Sequence, residues 1–449
     1  MRSALKSAGI TYEALASAVR SAAAEAGIAL RTNRSAVAHW VAGSQPAEEA
    51  LPYVIEALSR LLKRSVSPKD IGLAATSLGD ALDWCADTLA ALHELGSVDL
   101  DLRRRHVLKA AAYSVGALGV PDSAWWMERA HRPVRQPKSR HTVGRGDLDA
   151  AREMVALFSR IDQRHGGGHA RSAVVQYLTT DVTGYLHGRF LDDDVRRGMY
   201  TAASELAYLS GWMAFDNGEH PVAQRYLTTA VSLAAEADDA PMAGHVLRAM
   251  AHQAIELRHP TEALNLAGAS VEGSRYASAS PRERSLLGVV HARALAAAGE
   301  RQAAAAALLR AEDDLAAASP GDDEPGRVFF FGEASLAHET ACVLRDTGDL
   351  DGAKREFRRS VRTRKASSFT RTHAVTLGYL GSVQARQGAI EEACATWSRA
   401  LDLMDGVHSA RARRTAADMR RALSPVRARG IPLVREINHR AAVFLSQSS

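Results

Sequence analysis

Residues 211–230, GWMAFDNGEHPVAQRYLTTA, and residues 381–400, GSVQARQGAIEEACATWSRA, share one spacing, and that spacing decides the fold. Gly211, Ala214, Gly218, Ala223, Leu227 and Ala230 stand at the same steps as Gly381, Gln384, Gly388, Ala393, Trp397 and Ala400. A third copy holds Ala341, Gly348, Ala353 and Phe357, and weaker copies centre on Ala263 and on Gly299 with Ala304. Short side chains at these steps let two antiparallel helices approach closely, and the glycine between them turns the chain. Composition points the same way. The chain is 46% hydrophobic but only 6% aromatic, and alanine carries much of the apolar content, which favours close-packed helices over strands. At 449 residues it exceeds one compact core, so a repeat array or several domains are predicted.

The pattern resembles the tetratricopeptide repeat (TPR), with anchoring alanines recurring after roughly 40 residues instead of the ideal of about 34. The spacing stretches where 318–327, ASPGDDEPGR, is inserted. The fold class predicted is all-α, with a TPR-like α-solenoid over 148–449. Such an array presents a concave surface able to hold a peptide, a partner protein or a small molecule. Arg248, His252 and Gln253 on one helix and Arg345 on another are candidates for that surface, the alternative being ordinary exposed polar positions. The arginine-rich stretch 410–426, ARARRTAADMRRALSPV, either caps the array or binds something acidic.

Residues 1–74 break into five short helical pieces. Thr11 can cap a helix through YEALASAVRSAAAE, in which Leu15, Ala18 and Val19 recur at helical spacing, and Thr32 or Asn33 can cap RSAVAHWVAG. In the latter, Val37, Trp40 and Val41 form one apolar face. The opposite face carries Ser35, Ala38, His39 and Ala42, which are short or uncharged, with Arg31 and Arg34 at its start; a face that slim can enter a major groove. Pro52 falls in the first turn of a helix YVIEALSRLL, and Ser67, Pro68, Lys69 and Asp70 form a capping box. On the residues alone, a helix-turn-helix and a generic helical adaptor both stay open.

TYEALASAVRSAAAE followed by RSAVAHWVAGSQP resembles the Cro/repressor-like, or XRE-type, helix-turn-helix, through Trp40, Gly43 and Pro46, with a longer connection between the two helices. With the repeats behind it, the chain resembles actinobacterial, Streptomyces-type transcriptional regulators, which are associated with development and secondary metabolism. The resemblance implies a sequence-specific DNA-binding regulator with double-stranded DNA as partner. A homodimer would read two half-sites, and the repeats would sense a ligand or recruit a partner. By that pattern Asn33, Arg34, Ser35, Ala38 and His39 face DNA, joined by Arg31, while Arg20, Lys63 and Arg64 are candidate phosphate contacts. The alternative is a TPR-like protein-interaction scaffold whose degenerate helix-turn-helix binds no specific DNA; nine basic residues against six acidic ones over 1–74 are a weak charge for a DNA binder.

Between these parts, 75–127 reads as a helical connector or dimerisation region. It comprises a helix over 76–96, with Leu78, Leu82, Cys85, Leu89 and Leu92 as its ridge, and a second helix over 103–116. Residues 128–147 read as a basic linker or loop, with Trp125 and Trp126 packing across the junction. Arg103 to Lys109 imitates a twin-arginine export signal but lies far from the N-terminus, so it reads as a helix start. His165-GGG-His169 reads as a connection between helices, since glycines separate the histidines and no lysine follows as in a phosphate loop. Cys85, Cys342 and Cys394 are widely spaced core residues without a disulfide or zinc pattern. No apolar run is long enough for a bilayer, and a cytoplasmic protein is expected. The 56 Lys and Arg against 51 Asp and Glu, a net +5, leave the location of charge more informative than its sum. No grouping of catalytic residues, metal ligands or cofactor loop is present, so no enzyme is expected.

Overall fold

The computed structural model describes residues 1–62, 66, 69–72, 82–101, 104, 105, 108, 111–132, 141–319, 321, 323–429 and 431–447. Lys63, Arg64, Ser67 and Pro68 lie outside the described residues. Among the described residues the chain is all-α apart from a two-residue parallel pairing of Thr142–Val143 with Arg189–Phe190.

The N-terminal bundle holds α1 (Arg2–Ser7), α2 (Tyr12–Glu25), α3 (Arg34–Val41) and α4 (Leu51–Leu62). Thr11 caps α2 by accepting from the Ala14 amide at 3.1 Å, and Asn33 caps α3 by accepting from Ala36 at 2.9 Å. Leu15, Val19, Val37, Tyr53, Val54 and Leu58 meet in its core. The bundle is fastened to the connector: the Val115 amide donates to the Glu56 carboxylate at 2.8 Å, and Gly116 lies so close to Ser59 that a side chain would collide.

In the connector the described helix is Thr88–Leu100, starting later than the predicted 76–96 because Asp87 caps it, accepting from Ala90 at 2.9 Å. Its ridge therefore moves to Leu89, Leu92, Leu95 and Val98, and Cys85, expected in the core, is exposed in the turn ahead of the cap. Of the predicted 103–116 helix, residues 103, 106, 107, 109 and 110 lie outside the described residues; 104, 105 and 108 are helical, 111–114 are not, and Val115–Ala117 form a single 3-10 turn. Of the expected basic linker, 133–140 lie outside the described residues, while Ser123–Ala130 is helical. Its Arg129 is buried, donating to Glu236 at 2.9 Å and to Thr88 at 2.6 Å, and Trp125 sets its indole edge-on to Trp84 at 5.7 Å.

After the pair Arg145–His165 and Gly167–Tyr177 come six helical hairpins. They are Asp193–Asp216 with His220–Glu236, Ala240–Glu256 with Pro260–Ser270, Pro281–Ala297 with Arg301–Ala316, Glu333–Thr347 with Leu350–Thr363, Thr370–Arg386 with Ile390–Met404, and Ala410–Leu423 with Pro432–Gln447. The repeat spacing is realised in the first five. Ala223, Ala263, Ala304, Ala353 and Ala393 are all fully buried where the two helices touch, and Gly211 and Gly381 leave room for Leu227 and Trp397. This is the TPR-like α-solenoid expected from the sequence.

Four of these five turns use a glycine with positive φ: Gly218, Gly299, Gly348 and Gly388. The second hairpin places Arg258 there at φ 64°, which explains why its copy of the pattern reads weakly. A side chain in the left-handed region costs about 1–2 kcal/mol. Arg258 is exposed, so Arg258→Gly is expected to raise stability by about 1 kcal/mol in a urea titration, net of the added chain entropy. A loss of stability would show that its side chain contributes more than its backbone costs.

The array curls until its last hairpin meets its first elements. The His408 amide donates to the His165 carbonyl at 2.9 Å, and Gly168 donates back to His408 at 3.1 Å. Here the three glycines find their reason: side chains at 166 and 167 would run into the His408 and Met213 backbones. Beside this seam Arg371 bridges Asp162 at 3.1 Å and Asp216 at 2.7 Å, all three side chains buried.

Candidate functional site

The curl turns the first helix of every hairpin toward a common interior, and side chains from all six converge there. Trp212, from Asp193–Asp216, has the Arg248 guanidinium 5.6 Å from its ring centroid and that of Arg411 at 5.9 Å. Glu256, at the end of the next first helix, receives Arg414 at 2.8 Å and Arg411 at 3.3 Å, an ion pair spanning the interior from the second hairpin to the sixth. His252, one turn earlier, lies 3.3 Å from Arg293, which pairs with Glu339 at 2.8 Å. Arg345 sits 5.2 Å over Tyr379, and His338 stacks on the same ring at 5.7 Å.

Burial sets the protonation states. It drives the imidazoles toward the neutral form, His338 down to about 3 and His252 in the same direction. Burial alone would lift the carboxyls of Glu256 and Glu339, but Arg411 at the first and Arg293 at the second hold them well below the usual carboxylate range. The interior is therefore lined by fixed ions and aromatic rings. Glu256, Arg411, Glu339 and Arg345 keep side-chain exposures of 11, 15, 16 and 22%, and Trp212 and Tyr379 are half-buried, so part of this lining is open.

Of the four sequence candidates, Arg248 and His252 are buried on this side of the array, Gln253 is buried and donates to the His220 carbonyl at 3.0 Å, and Arg345 is half-buried. Sequence reading missed Trp212, Glu256, Arg293, Glu339 and Tyr379; Arg411 lies in the arginine-rich stretch 410–426 that it singled out without assigning it to this interior. A register signal was available. Trp212, His252 and Arg293 each stand six residues before their turn residue, and Glu339 and Tyr379 each stand nine before theirs.

A second hollow of about 1080 Å³ lies between α4, the 115–121 segment and helix Pro260–Ser270, with Arg60, His259, Glu262 and Asn265 among its lining. Arg60 is occupied there by Glu25 at 2.8 Å and Glu56 at 2.6 Å, fastening α4 to α2. No described group of three histidines, cysteines or carboxylates is placed to hold a metal, and no described helix is long and apolar enough to cross a membrane.

Arg31 and Asn33 ahead of α3, and Arg34, Ser35 and His39 on it, are exposed, and Ala38 is half-buried. Eight residues separate α2 from α3, against about three or four in a helix-turn-helix. Arg20, expected at phosphate, instead braces this long connection, donating to the Thr32 carbonyl and pairing with Glu13 at 3.3 Å. Asn33 is spent on its cap.

Residues 1–74 match the family described as the SP15 N-terminal domain. No curated protein matches the chain. Among solved structures it is similar to a Rap protein crystallised in complex with competence and sporulation factor, at 12% identity over 67% of this chain and 97% of that one, with a TM-score of 0.38. The family match corrects the expectation drawn from the XRE-type resemblance: what the first 74 residues match is the SP15 N-terminal domain. The geometry agrees, since the α2–α3 connection and Arg20 depart from a helix-turn-helix. Membership of the actinobacterial regulators, a transcriptional role and a duplex DNA partner read by a homodimer are therefore withdrawn.

Proposed function

We propose that the chain is a TPR-like protein-interaction scaffold whose inner face receives an extended peptide segment of a partner. The observation that carries this reading is the convergence of Trp212, Glu256, Arg293, Glu339, Tyr379 and Arg411, one from each first helix, on a single partly open interior. An extended segment lying along such a face meets one or two side chains per repeat, and half-buried aromatic rings flanked by ions supply both contact area and orientation. The N-terminal bundle, held by Glu56, Arg60 and Gly116, serves as a fixed flank of the scaffold.

Selection of a random-peptide display library on the full-length chain tests this. Enriched peptides are expected to bind the wild-type protein and to lose about tenfold or more in affinity on Tyr379→Ala, a variant whose helical circular dichroism should match the parent. Failure to enrich any peptide above bare support, or enriched peptides indifferent to Tyr379→Ala, would contradict the reading.

A further inference from the structure

The segment inserted between the third and fourth hairpins runs across the inside of the curl. Its Gly326–Val328 turn touches helix Arg145–His165, and Phe329 sets its ring 6.2 Å from that of Phe369, at the head of the fifth hairpin. Between these contacts Arg327 meets carboxylates from the first three hairpins: Glu283 at 2.7 Å, Glu205 at 3.6 Å and Asp239 at 3.9 Å. Val328 and Phe331 are buried in the same core cluster as Leu206 and Met242. Glu205 and His245 stand seven residues, two helical turns, before Trp212 and His252, so Arg327 sits at the far end of the stripe that carries the candidate site. Side chains join the two ends: His245 lies 3.3 Å from Glu283 and 2.9 Å from Arg248, whose guanidinium lies over Trp212.

Three features mark this segment as an occupant of the inner face and not as part of its wall. It has no place in the repeat spacing. The backbone bonds of its described amides stay within it, Val328 to Pro325 at 3.0 Å and Phe331 to Val328 at 2.9 Å, so its departure breaks no backbone pairing with a hairpin. Both of its ends are pinned by one partly exposed side chain: Arg282 donates to the Phe331 carbonyl at 2.8 Å and pairs with Glu324 at 3.7 Å. The pocket that Arg327 fills needs a cation. Burial lifts the Glu205 carboxyl even with that guanidinium beside it, and buried carboxylates that lose their counter-ion strongly favour a replacement.

We infer that residues 323–331 are an autoinhibitory strap, an internal stand-in that fills one end of the inner face until a partner segment carrying a basic residue followed by apolar ones takes its place. The incoming cation takes the position of Arg327 among Glu205, Asp239 and Glu283, and its apolar neighbours cover the core surface that Val328 and Phe331 leave. This rests on the scaffold reading above and adds the chemistry of the partner and the control of its access.

The probe is a fluorescein-labelled, amidated copy of residues 323–332, DEPGRVFFFG, read by fluorescence anisotropy on the full-length chain. The wild-type protein, with its own strap seated, is expected to bind it weakly. Arg282→Gln unpins both ends of the strap without touching the carboxylate pocket, and should tighten binding about tenfold by raising the fraction of chains with the pocket free. A copy with glutamine in place of its arginine should bind that variant about tenfold more weakly. Hydrogen exchange at the amides of Val328 and Phe331 should quicken in Arg282→Gln while the hairpin amides keep their wild-type rates. Unchanged exchange at those two amides overturns the strap, because Arg282 would then not be what holds it. Quickened exchange without tighter binding overturns the autoinhibition, and equal binding of the two copies overturns the basic partner. Absence of binding by either copy to both proteins overturns the whole inference and leaves the scaffold reading to its own display selection.

Discussion

Replacing Arg371 by methionine is expected to lower the stability of the protein by about 3–5 kcal/mol, because it strips the shared counter-ion from two buried carboxylates. Asp162 and Asp216 approach the guanidinium at 3.1 and 2.7 Å with side-chain exposures of 1 and 0%, so water cannot replace it. The deficit should depend on pH. Burial, reinforced by Asp216, already lifts Asp162 above the usual carboxylate range in spite of Arg371 and Arg411. Removing Arg371 lifts it further. A carboxyl with a higher pKa in the folded than in the unfolded state adds stability below its unfolded value and loses that contribution as pH rises through the folded value. Denaturant titrations at about pH 5 and about pH 8 should therefore show the larger deficit at pH 8. A deficit independent of pH would mean that lost packing, not uncompensated charge, accounts for the effect.

Trp397→Ala should cost a similar amount, about 3–5 kcal/mol. Trp397 is a fully buried side chain, it donates from Nε1 to the Gly378 carbonyl at 3.0 Å, and its indole lies against the bare backbone of Gly381. Alanine leaves a cavity on the glycine side that neighbouring helices cannot close without breaking the Ala393 contact, and it removes one of the donors to the Gly378 carbonyl, which keeps the Ser382 hydroxyl at 3.0 Å. Arg399→Ala, on the exposed side of the same helix, should change stability by no more than about 0.5 kcal/mol. Equal effects of the two substitutions in thermal melts would remove the close-approach explanation of the repeat pattern.

The repeat array was legible because its determinants are local. A small residue, a turn glycine, an alanine five further on and a large side chain four beyond that recur in one register, and each sits where two helices touch. The weak copy at Ala263 keeps the alanine but has Arg258 in the glycine's place and Ala267 where the other copies carry a large side chain. The interior was less legible, since its lining comes from residues far apart in sequence that meet only when the array curls. The contact of Arg411 with Glu256 spans the second and sixth hairpins; the arginine-rich stretch 410–426 hinted at an acidic partner, but nothing near Glu256 announces it. Arg248 and His252 were singled out as polar residues on one helix face, but what buries them comes from elsewhere in the chain: Tyr208 and His245 meet Arg248, and Trp212, Phe215 and Arg293 surround His252. The start of the connector helix was misplaced because Leu78 and Leu82 extend the apolar spacing past the Asp87 cap. The slim face of α3 suggested a groove reader; the longer connection ahead of it was legible in the sequence, but the use of Arg20 to brace that connection is a feature only the folded chain displays.

The most direct measurement is photo-crosslinking of a display-selected peptide to full-length protein carrying benzoylphenylalanine at one position at a time. Placed at Tyr379, on the inner face, the probe is predicted to capture the peptide, and unlabelled peptide should compete the product away. Placed at Arg399, on the outer face of the neighbouring helix, it should capture none. Capture at 399 with none at 379 would contradict the account, because the partner would then be bound outside the curl.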